Sequence, residues 1–371
     1  MGTITPWEVT GKINYEKMIE EFGLQKINDE LIKRLEKIAQ KKGKKLHRLL
    51  RRQIFYAQRE LKWFLDQYEK GTKTFIYTGC GPSGPIHLGH YSVWEFTKYL
   101  QEILDIELWF QFTDDEKFLF KDKTYEEIQK WTYENMLDVI AIGFNPKNTK
   151  FIQDTKHANL LYPEAIKVAK KITFSTVKGA FGFTNDKNIG EIFYTAMQAV
   201  PAFLPSIINK QKMPCLIPHA IDQDPHFRVT RDVIEKLGHY KPASIQCKFM
   251  PGLTGAENGK QSSSTGTAIY MTDKPNEVKK KINKYAFSGG KDTVKEHRKH
   301  GGNPDIDVSY QWLLVFEEDD DKLRQIYEDY KTGKLLSGEL KTILIEKINQ
   351  ILEEHQKRRM NAKVETFIYK N

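Results

Sequence analysis

The fold is decided by the stretch TFIYTGCGPSGPIHLGH, residues 74–90. Its first four residues are apolar, aromatic or β-branched and predict a short strand at 74–77. Four glycines and two prolines then indicate a loop, because both residue types interrupt regular elements. Apolar residues at helical spacing predict a helix at 90–104. Strand, loop and helix in this order are typical of one unit of an α/β fold.

The same alternation continues along the chain. Apolar and aromatic runs predict further strands at 106–112, 151–152, 215–218 and 244–249, separated by helices at 125–142, 162–171, 189–200 and 224–237. Such alternation predicts a doubly wound parallel sheet of Rossmann type, with its ligand site at the carboxyl ends of the strands.

Changes in sequence texture divide the chain into three predicted parts. Residues 1–70 form an amino-terminal segment with apolar residues at helical spacing from Tyr15 to Tyr68, and residues 71–272 form the Rossmann-type domain. A Gly- and Ser-rich loop at 251–267 lies within that domain. Residues 273–371 form a helical domain, with helices predicted at 275–286, 309–316, 322–330 and 337–359.

Composition excludes several classes of protein. The 371 residues include 58 Lys+Arg and 49 Asp+Glu, for a net charge of +9, and 39% are hydrophobic, which is enough for a substantial core. No apolar run approaches the roughly 20 residues of a membrane span, and the amino terminus lacks a secretory signal. Three separated cysteines support neither a disulfide framework nor a zinc site. We therefore expect a cytoplasmic protein without a membrane segment or a resident metal.

Two charged runs have more than one interpretation. Between Lys26 and Arg52, 11 Lys/Arg stand against 3 Asp/Glu, a local charge of +8. This stretch is either the solvated face of a helix or a surface for a polyanion. Five consecutive acids at 317–321 predict a solvated turn and helix start, where negative charge suits the helix dipole, rather than a metal site.

The glycine-rich stretch carries two competing motifs. Gly79, Gly81 and Gly84 match the dinucleotide fingerprint G-x-G-x-x-G, which would indicate a nicotinamide-dependent oxidoreductase. Pro82 and Pro85 argue against this, because each removes a backbone donor that the pyrophosphate would need.

The second motif is His87-x-Gly89-His90 at a predicted helix start. Backbone amides and the helix dipole favour phosphate there, and two imidazoles can donate to a phosphate whose charge grows in the transition state. The sequence KQSSS at 260–264 adds an ammonium and several hydroxyls that can close over a triphosphate.

Together, HLGH at 87–90 and KQSSS at 260–264 resemble the two signatures of class I aminoacyl-tRNA synthetases. The surrounding segments are similar to the eukaryotic-type tryptophanyl-tRNA synthetase family, namely YTG at 77–79, TDDEK at 113–117, VKGAFGF at 177–183, IPHAIDQDP at 217–225 and AFSGG at 286–290. The resemblance runs from about Pro6 to Arg359. It implies a Rossmann-type catalytic domain, a helical carboxyl-terminal anticodon-binding domain and a homodimer.

The resemblance also implies an activity and its residues. L-tryptophan is activated with Mg²⁺ and ATP to tryptophanyl-adenylate and then transferred to tRNA(Trp). The implied catalytic residues are His87, His90, Lys260, Ser262 and Ser264. The implied ATP-binding residues are Gly79, Gly81, His87, Gly89, His90, Lys117 and Lys260. The implied tryptophan-binding residues are Tyr77, Gln111, Thr113, Glu116, Gln198 and Gln223, and the implied anticodon-binding residues are Phe287, Lys291 and Asp292.

The residue types suit this chemistry. The nucleophile is the carboxylate of the amino acid, so the protein need only position reactants and stabilise charge. Indole needs a flat apolar slot with one acceptor, which Tyr77 and Gln111 can provide, and Glu116 is a natural partner for the substrate ammonium.

The chain departs from the family at three places. Cys80 stands where relatives carry Arg, so one expected phosphate contact is missing, and Gln261 and Ser263 alter the second signature. No complete extra amino-terminal helix-turn-helix module is recognised, so we expect the segment around Trp7 to begin the catalytic body; in relatives that segment caps the active site.

Two rival functions share this resemblance. A tyrosyl-tRNA synthetase relative would have the same fold and signatures, but Gln111 rather than an acid favours tryptophan. A catalytically silent tRNA-binding paralogue would not need His87, His90 and Lys260, which are all present.

Overall fold

The computed structural model of the chain describes residues 14–255 and 266–370. Seven strands were found within these residues: β1 (Gln25–Lys26), β2 (Phe55–Arg59), β3 (Phe75–Cys80), β4 (Glu107–Phe112), β5 (Thr149–Gln153), β6 (Cys215–Ala220) and β7 (Ala243–Cys247). They form one sheet in the order β1-β2-β7-β6-β3-β4-β5. The five strands from β3 to β7 pair in parallel, as predicted, and β1 and β2 add an antiparallel edge.

The helices cover both faces of the sheet. Those before β4 are α1 (Tyr15–Phe22), α2 (Asp29–Lys41), α3 (Arg48–Arg51), α4 (Leu61–Glu69) and α5 (Leu88–Leu104). Those up to β7 are α6 (Asp114–Phe120), α7 (Tyr125–Ala141), α8 (Ala158–Ala169), α9 (Phe174–Phe181), α10 (Ile189–Met197), α11 (Leu204–Ile208) and α12 (Asp224–Ile234). The last five are α13 (Pro275–Tyr285), α14 (Val294–His300), α15 (Val308–Phe316), α16 (Asp320–Lys331) and α17 (Ser337–Met360).

The strand order places a crevice next to β3. The chain runs outward from β3 through β4 to β5, then returns to the other side of β3 to form β6 and β7. Strand order therefore reverses between β3 and β6, and such switch points are where doubly wound sheets bind ligands, at the carboxyl ends of the strands.

The decisive stretch folds as predicted, with two shifted boundaries. Strand β3 continues past residue 77 because its parallel ladder with β4 runs on, placing Gly79 opposite Gln111 and Cys80 opposite Phe112. Helix α5 begins at Leu88 rather than at residue 90, because His87 caps it: its Nδ1 accepts the Gly89 N–H at 3.1 Å.

The amino-terminal region is not entirely helical, which corrects the prediction. Phe55, read as part of a helical pattern, lies in β2, where it is buried and pairs with Cys247 of β7. Four consecutive residues of β2 are buried. A short run of buried residues fits a buried strand and a buried helix equally well, so its spacing does not distinguish the two.

Two apolar cores lie on opposite faces of the sheet. One combines residues of α2, α5, α13, α15 and α17 with the sheet, and the other combines α8, α10 and α12 with the opposite face. The first core therefore joins the amino-terminal, Rossmann-type and carboxyl-terminal helices. The division at 70/71 and 272/273 stays a prediction.

Part of the basic stretch is used inside the protein. Arg48, only 4% exposed in its side chain, donates to Glu95 of α5, to Glu318 and to the carbonyl oxygen of Val315. Arg51 and Arg52 both pair with Asp320. We call these contacts the arginine clamp, because they join α3 to α5 and to the acidic run.

The acidic run is largely exposed, and most of its carboxylates also have partners in the protein. Glu317, Glu318 and Asp320 all form ion pairs, while Asp319 caps α16 with hydrogen bonds from two backbone N–H groups. The predicted solvated turn and helix start are both confirmed, because Glu318, Asp319 and Asp321 are exposed and α16 begins at Asp320. Cations from residues 48–52, α16 and α17 pair with parts of the run.

The outer strand β5 is covered by a later segment of the chain. On the opposite side the sheet ends in the two-residue strand β1, which pairs with β2. At β5, the Phe151 N–H donates to the carbonyl oxygen of Phe367, and the Tyr369 N–H donates back to that of Phe151. The end of the chain thus lies along β5 and covers an edge that would otherwise expose unpaired backbone groups.

Candidate active site

A cavity of about 360 Å³ lies at the switch point between β3 and β6. It is lined by every predicted ATP-binding and tryptophan-binding residue within the described part of the chain: Tyr77, Gly79, Gly81, His87, Gly89, His90, Gln111, Thr113, Glu116, Lys117, Gln198 and Gln223. Residues from β3, β4, α5, α6 and the end of α10 thus converge on one crevice, as the sheet topology requires.

One end of the cavity contains a chain of buried hydrogen bonds. The Tyr77 hydroxyl donates to Gln111 Oε1 at 2.5 Å, and Gln198 Nε2 donates to the Tyr77 hydroxyl at 2.7 Å. The Tyr194 hydroxyl donates in turn to Gln198 Oε1. Burial raises the pKa of both tyrosines well above the ordinary value, so both remain neutral donors. This end offers flat aromatic surface and polar groups of fixed orientation, which suit an aromatic ring with one polar atom.

A carboxylate lies beside this aromatic end. Glu116 Oε2 accepts from the Thr113 hydroxyl at 2.7 Å, and Oε1 accepts from Lys117 Nζ at 2.6 Å. Burial alone would raise the pKa of Glu116, but the Lys117 ammonium and these hydrogen bonds outweigh it and hold the pKa below its usual value. The group is therefore an anion that can receive a substrate ammonium.

Lys117 extends from that carboxylate across the backbone of Gly81. A Cβ at position 81 would lie 1.9 Å from Lys117 Cε and 2.6 Å from Nζ. Glycine at this position therefore allows the ammonium to lie against the loop that precedes α5. This is the loop that sequence analysis assigned to phosphate.

The two signature histidines form a stack at the start of α5. The ring centroids of His87 and His90 lie 3.9 Å apart, and those of His90 and Trp94 lie 5.4 Å apart with nearly parallel planes. His87 is buried, and His90 is exposed. Since His87 Nδ1 accepts the Gly89 N–H, Nε2 is the ring nitrogen that can act as a donor. Both side chains are thus held at the amino terminus of a 17-residue helix.

Gln223 and His226 close the β6 side of the cavity. Gln223 ends a short turn after β6, and α12 starts at the next residue. His226 is buried, and burial lowers its pKa to about 4, so its ring is neutral at physiological pH.

Comparison with known proteins identifies the family. A family model described as tRNA synthetases class I (W and Y) matches residues 69–353. The tryptophan–tRNA ligase of Sulfurisphaera tokodaii is 49% identical over 369 residues, which cover 99% of this chain and 94% of the relative. The solved structure of Plasmodium falciparum tryptophanyl-tRNA synthetase has a TM-score of 0.90 and 42% identity, covering 96% of this chain and 98% of that one. This chain belongs to the tryptophanyl-tRNA synthetases.

A second relative and a second structure agree with this assignment. The tryptophan–tRNA ligase of Thermococcus onnurineus is 49% identical over 370 residues, covering 99% of this synthetase and 94% of the relative. The tryptophanyl-tRNA synthetase of Giardia lamblia has a TM-score of 0.89 and 40% identity, and 96% of each chain is covered. The predicted family, fold class and enzyme class are confirmed.

Sequence analysis missed three residues of this synthetase that adjoin the predicted ones. Tyr194 stands four residues before Gln198, and His226 stands three after Gln223, so one helical turn was the available signal in both cases. Asp154 follows β5 directly, and its carboxylate accepts from Gln111 Nε2. Its position at a strand carboxyl end could have drawn attention to it.

Cys80, which replaces an expected arginine, has a structural contact instead of a phosphate contact. The thiol lies under the loop and donates to Asn135 Oδ1 of α7 at 3.6 Å, while Asn135 Nδ2 donates to the Gly84 carbonyl oxygen at 2.9 Å. Burial raises the pKa of the Cys80 thiol, which keeps it neutral. Cys80 therefore helps attach the loop to α7, and Lys117 supplies positive charge to this part of the cavity.

The predicted anticodon residues lie outside this cavity. Phe287, Lys291 and Asp292 are exposed on the connection from α13 to α14. The intervening turn is tight, because a Cβ at Gly289 would lie 2.0 Å from the Asn303 carbonyl oxygen. Phe287 is 46% exposed.

Other predictions fall outside the described residues. They concern Trp7 in the amino-terminal segment and Lys260, Gln261, Ser262, Ser263 and Ser264 in the second signature. Within the described residues, no helix is long and apolar enough to cross a membrane.

Proposed function

We propose that this synthetase ligates L-tryptophan to tRNA(Trp) in two steps within the cavity at the switch point. Family membership makes the chain a class I tryptophan–tRNA ligase, and ATP and the tRNA are its other substrates. The observation that carries the residue assignment is the convergence of the Tyr77–Gln111–Gln198 chain, Glu116 and the His87–His90 stack on one cavity.

In the first step, a carboxylate oxygen of tryptophan attacks the α-phosphorus of ATP. A new O–P bond forms, the bond to the bridging oxygen breaks, and pyrophosphate leaves. Indole lies at the Tyr77 end, where Gln111 provides an acceptor for its N–H, and Glu116 holds the substrate ammonium. Positioning of this kind can supply much of the rate enhancement, because no covalent enzyme intermediate is needed.

The histidine end stabilises the charge that develops on phosphate. His87 and His90 donate to the phosphate oxygens, and the Lys117 ammonium across Gly81 adds a positive charge. Magnesium enters bound to ATP, since Mg²⁺ is commonly held by substrate phosphates with few protein ligands. Lys260 would join this end by its resemblance to the second signature.

In the second step, a hydroxyl of the terminal adenosine attacks the tryptophanyl carbonyl and releases AMP. We further propose a homodimer that works in the cytoplasm and reads the anticodon with Phe287, Lys291 and Asp292. Their exposure on one turn of a helical region, with an aromatic ring for stacking and charges for base edges, supports this reading.

Pyrophosphate exchange into ATP, measured with each of the twenty amino acids and with and without Mg²⁺, tests the proposal. We expect exchange with L-tryptophan alone and only with Mg²⁺. Exchange with tyrosine would overturn the indole assignment, and no exchange with any amino acid would indicate a silent paralogue.

A matched pair of variants tests the histidine end. His90→Ala should lower the exchange rate about 100-fold or more, by loss of a donor to the transition state. His300→Ala, an exposed histidine at the end of α14, should leave exchange unchanged. Equal rates in the two variants would refute the mechanism.

A further inference from the structure

Asp154 is a buried carboxylate behind the substrate cavity. It directly follows β5, is 1% exposed and does not line the cavity itself. Its two oxygens accept from one donor, Gln111 Nε2, at 2.9 and 2.8 Å. Asp154 therefore contacts the residue that faces the substrate without reaching the substrate.

This contact decides which way the Gln111 amide points. Asp154 presents only acceptors to Gln111, because any proton on it is directed at the neighbouring Asp115. The amide nitrogen must therefore face Asp154 and the amide oxygen must face Tyr77. The donors then run in one direction, from Tyr194 to Gln198, to Tyr77, to Gln111 and finally to Asp154. A carbonyl oxygen has two lone pairs, so Gln111 Oε1 can accept from Tyr77 and from one more donor.

A second carboxyl group keeps Asp154 in this role. Asp115, at the start of α6, shares a hydrogen bond with Asp154, and burial raises the pKa of Asp115 to about 6. Burial and the neighbouring Asp115 raise the pKa of Asp154 as well, so the pair holds one proton between them. The shared proton lies in the hydrogen bond between Asp115 and Asp154, so the atoms of Asp154 that face Gln111 are acceptors.

The adjacent carboxylate is already satisfied by other groups. Asp114 accepts from Gln129, from Gln153 and from both the backbone and the side chain of Thr155. Its oxygens are thus held by these donors, whereas Asp115 is the carboxyl group that is hydrogen-bonded to Asp154.

We propose that Asp154 is a positioning residue for side-chain specificity, which holds Gln111 as an acceptor and so selects a ring that carries an N–H. With the amide turned over, Gln111 would present its own N–H groups and reject indole. The inference rests on the proposed function, because it concerns the choice of amino acid in the same reaction.

The test compares two amino acids that differ at one ring atom. The probes are L-tryptophan and benzothienylalanine, in which sulfur replaces the indole N–H, and the readout is kcat and KM in pyrophosphate exchange. In Asp154→Asn the new amide can donate to Gln111 and favour the turned-over form. We expect KM for tryptophan to rise about tenfold, kcat to change little, and the preference for tryptophan over the analogue to fall by a similar factor.

Asp115→Asn is the matched control. It preserves the Asp154 carboxylate and replaces the shared proton with an amide donor, so the preference should stay near that of the unaltered enzyme. Asp154→Ala, which removes the acceptor without adding a donor, should also lower the preference and serves if Asp154→Asn folds poorly.

A rescue separates orientation from general disruption. Adding Gln111→Glu to Asp154→Asn replaces the terminal amide at position 111 with a carboxylate. One of its two oxygens accepts from the new amide at position 154, and the other takes the place of the original amide oxygen. The preference for tryptophan should return. Equal losses with both amino acids in Asp154→Asn, or no recovery in the double variant, would overturn the inference. If the unaltered enzyme failed to activate tryptophan at all, the proposed function would fail instead.

Discussion

Arg48→Met in the arginine clamp should destabilise the protein more than the loss of a surface ion pair. Arg48 lies in α3, and its guanidinium contacts Glu95 at 2.8 Å and also Glu318 and a backbone carbonyl oxygen. Methionine retains much of the side-chain length but leaves Glu95, which is 22% exposed in its side chain, without its main partner.

The pKa of Glu95 gives the magnitude. Burial alone would raise this pKa, but Arg48 and His47 outweigh the burial and lower it from 4.5 to about 2. That difference, to which both Arg48 and His47 contribute, corresponds to about 3 kcal/mol and is an upper figure for the share of Arg48; breaking a buried pair typically costs about 3–5 kcal/mol. Because the folded pKa is the lower one, the contribution is present above about pH 4.5 and is lost as pH falls towards 2.

Thermal unfolding at pH 7 measures the effect. With about 2.1 cal/mol/K of unfolding entropy per residue, 3 kcal/mol lowers Tm by about 4 °C if the chain unfolds as one unit. Lys44→Met is the control, because it removes an ion pair between Lys44 and Glu102 that is partly exposed to solvent. The two side chains are 41% and 31% exposed, and the substitution should cost less than about 1 kcal/mol.

A double-mutant cycle isolates the pair. Glu95→Gln added to Arg48→Met removes the unpaired charge and should recover part of the lost stability. Equal losses of Tm in Arg48→Met and Lys44→Met would refute the role of the clamp. So would a double variant whose loss of stability equals the sum of the losses in Arg48→Met and Glu95→Gln measured separately.

Three further outcomes concern function. Glu116→Gln should raise KM for tryptophan about tenfold or more while leaving KM for ATP close to normal, because the amide lacks the charge that pairs with an ammonium; equal changes in both constants in pyrophosphate exchange would contradict this. Gly81→Val should raise KM for ATP about as much as Lys117→Met does, since a side chain at 81 displaces the ammonium, and an unchanged KM for ATP in Gly81→Val would count against this reading. Reversing the charge of the exposed Lys41 and Lys45 on the basic stretch should weaken tRNA binding in filter assays more at low salt than at high salt, with tryptophan activation unaltered. These two lysines are chosen because Lys42 and Lys44 pair with Asp105 and Glu102. If the variant bound tRNA as well as the unaltered enzyme at both salt concentrations, the stretch would be excluded from the tRNA surface.

Local signals in the sequence were sufficient for most elements. Helices α7, α13 and α17 lie within one or two residues of the predicted bounds, because each has a long run with a single periodicity. Strand β4 does so as well, with a shorter run of apolar and aromatic residues. Strand β2 was missed because its apolar run is short, and its identity depends on pairing with β7, about 190 residues away.

In the site, too, local motifs could be predicted and long-range contacts could not. His87, His90 and Gly89 form one local motif, so they could be predicted together with their position at a helix start. The contact of Asp154 with Gln111 joins two neighbouring strands, and the partners of Arg48 include Glu318, 270 positions away. Interactions of this kind arise from the packed fold and leave no periodic signal in the sequence.

The covering of β5 by the end of the chain has a consequence for synthesis on the ribosome. Phe151 and its partner segment around Ile368 are separated by roughly 200 residues, which take about 10–40 s to translate. Throughout that interval one side of the growing sheet exposes unpaired backbone groups, the condition under which chains associate edge to edge. This edge can be covered only after residues 367–369 have been synthesised, so a chain that stops near residue 363 would be prone to aggregate.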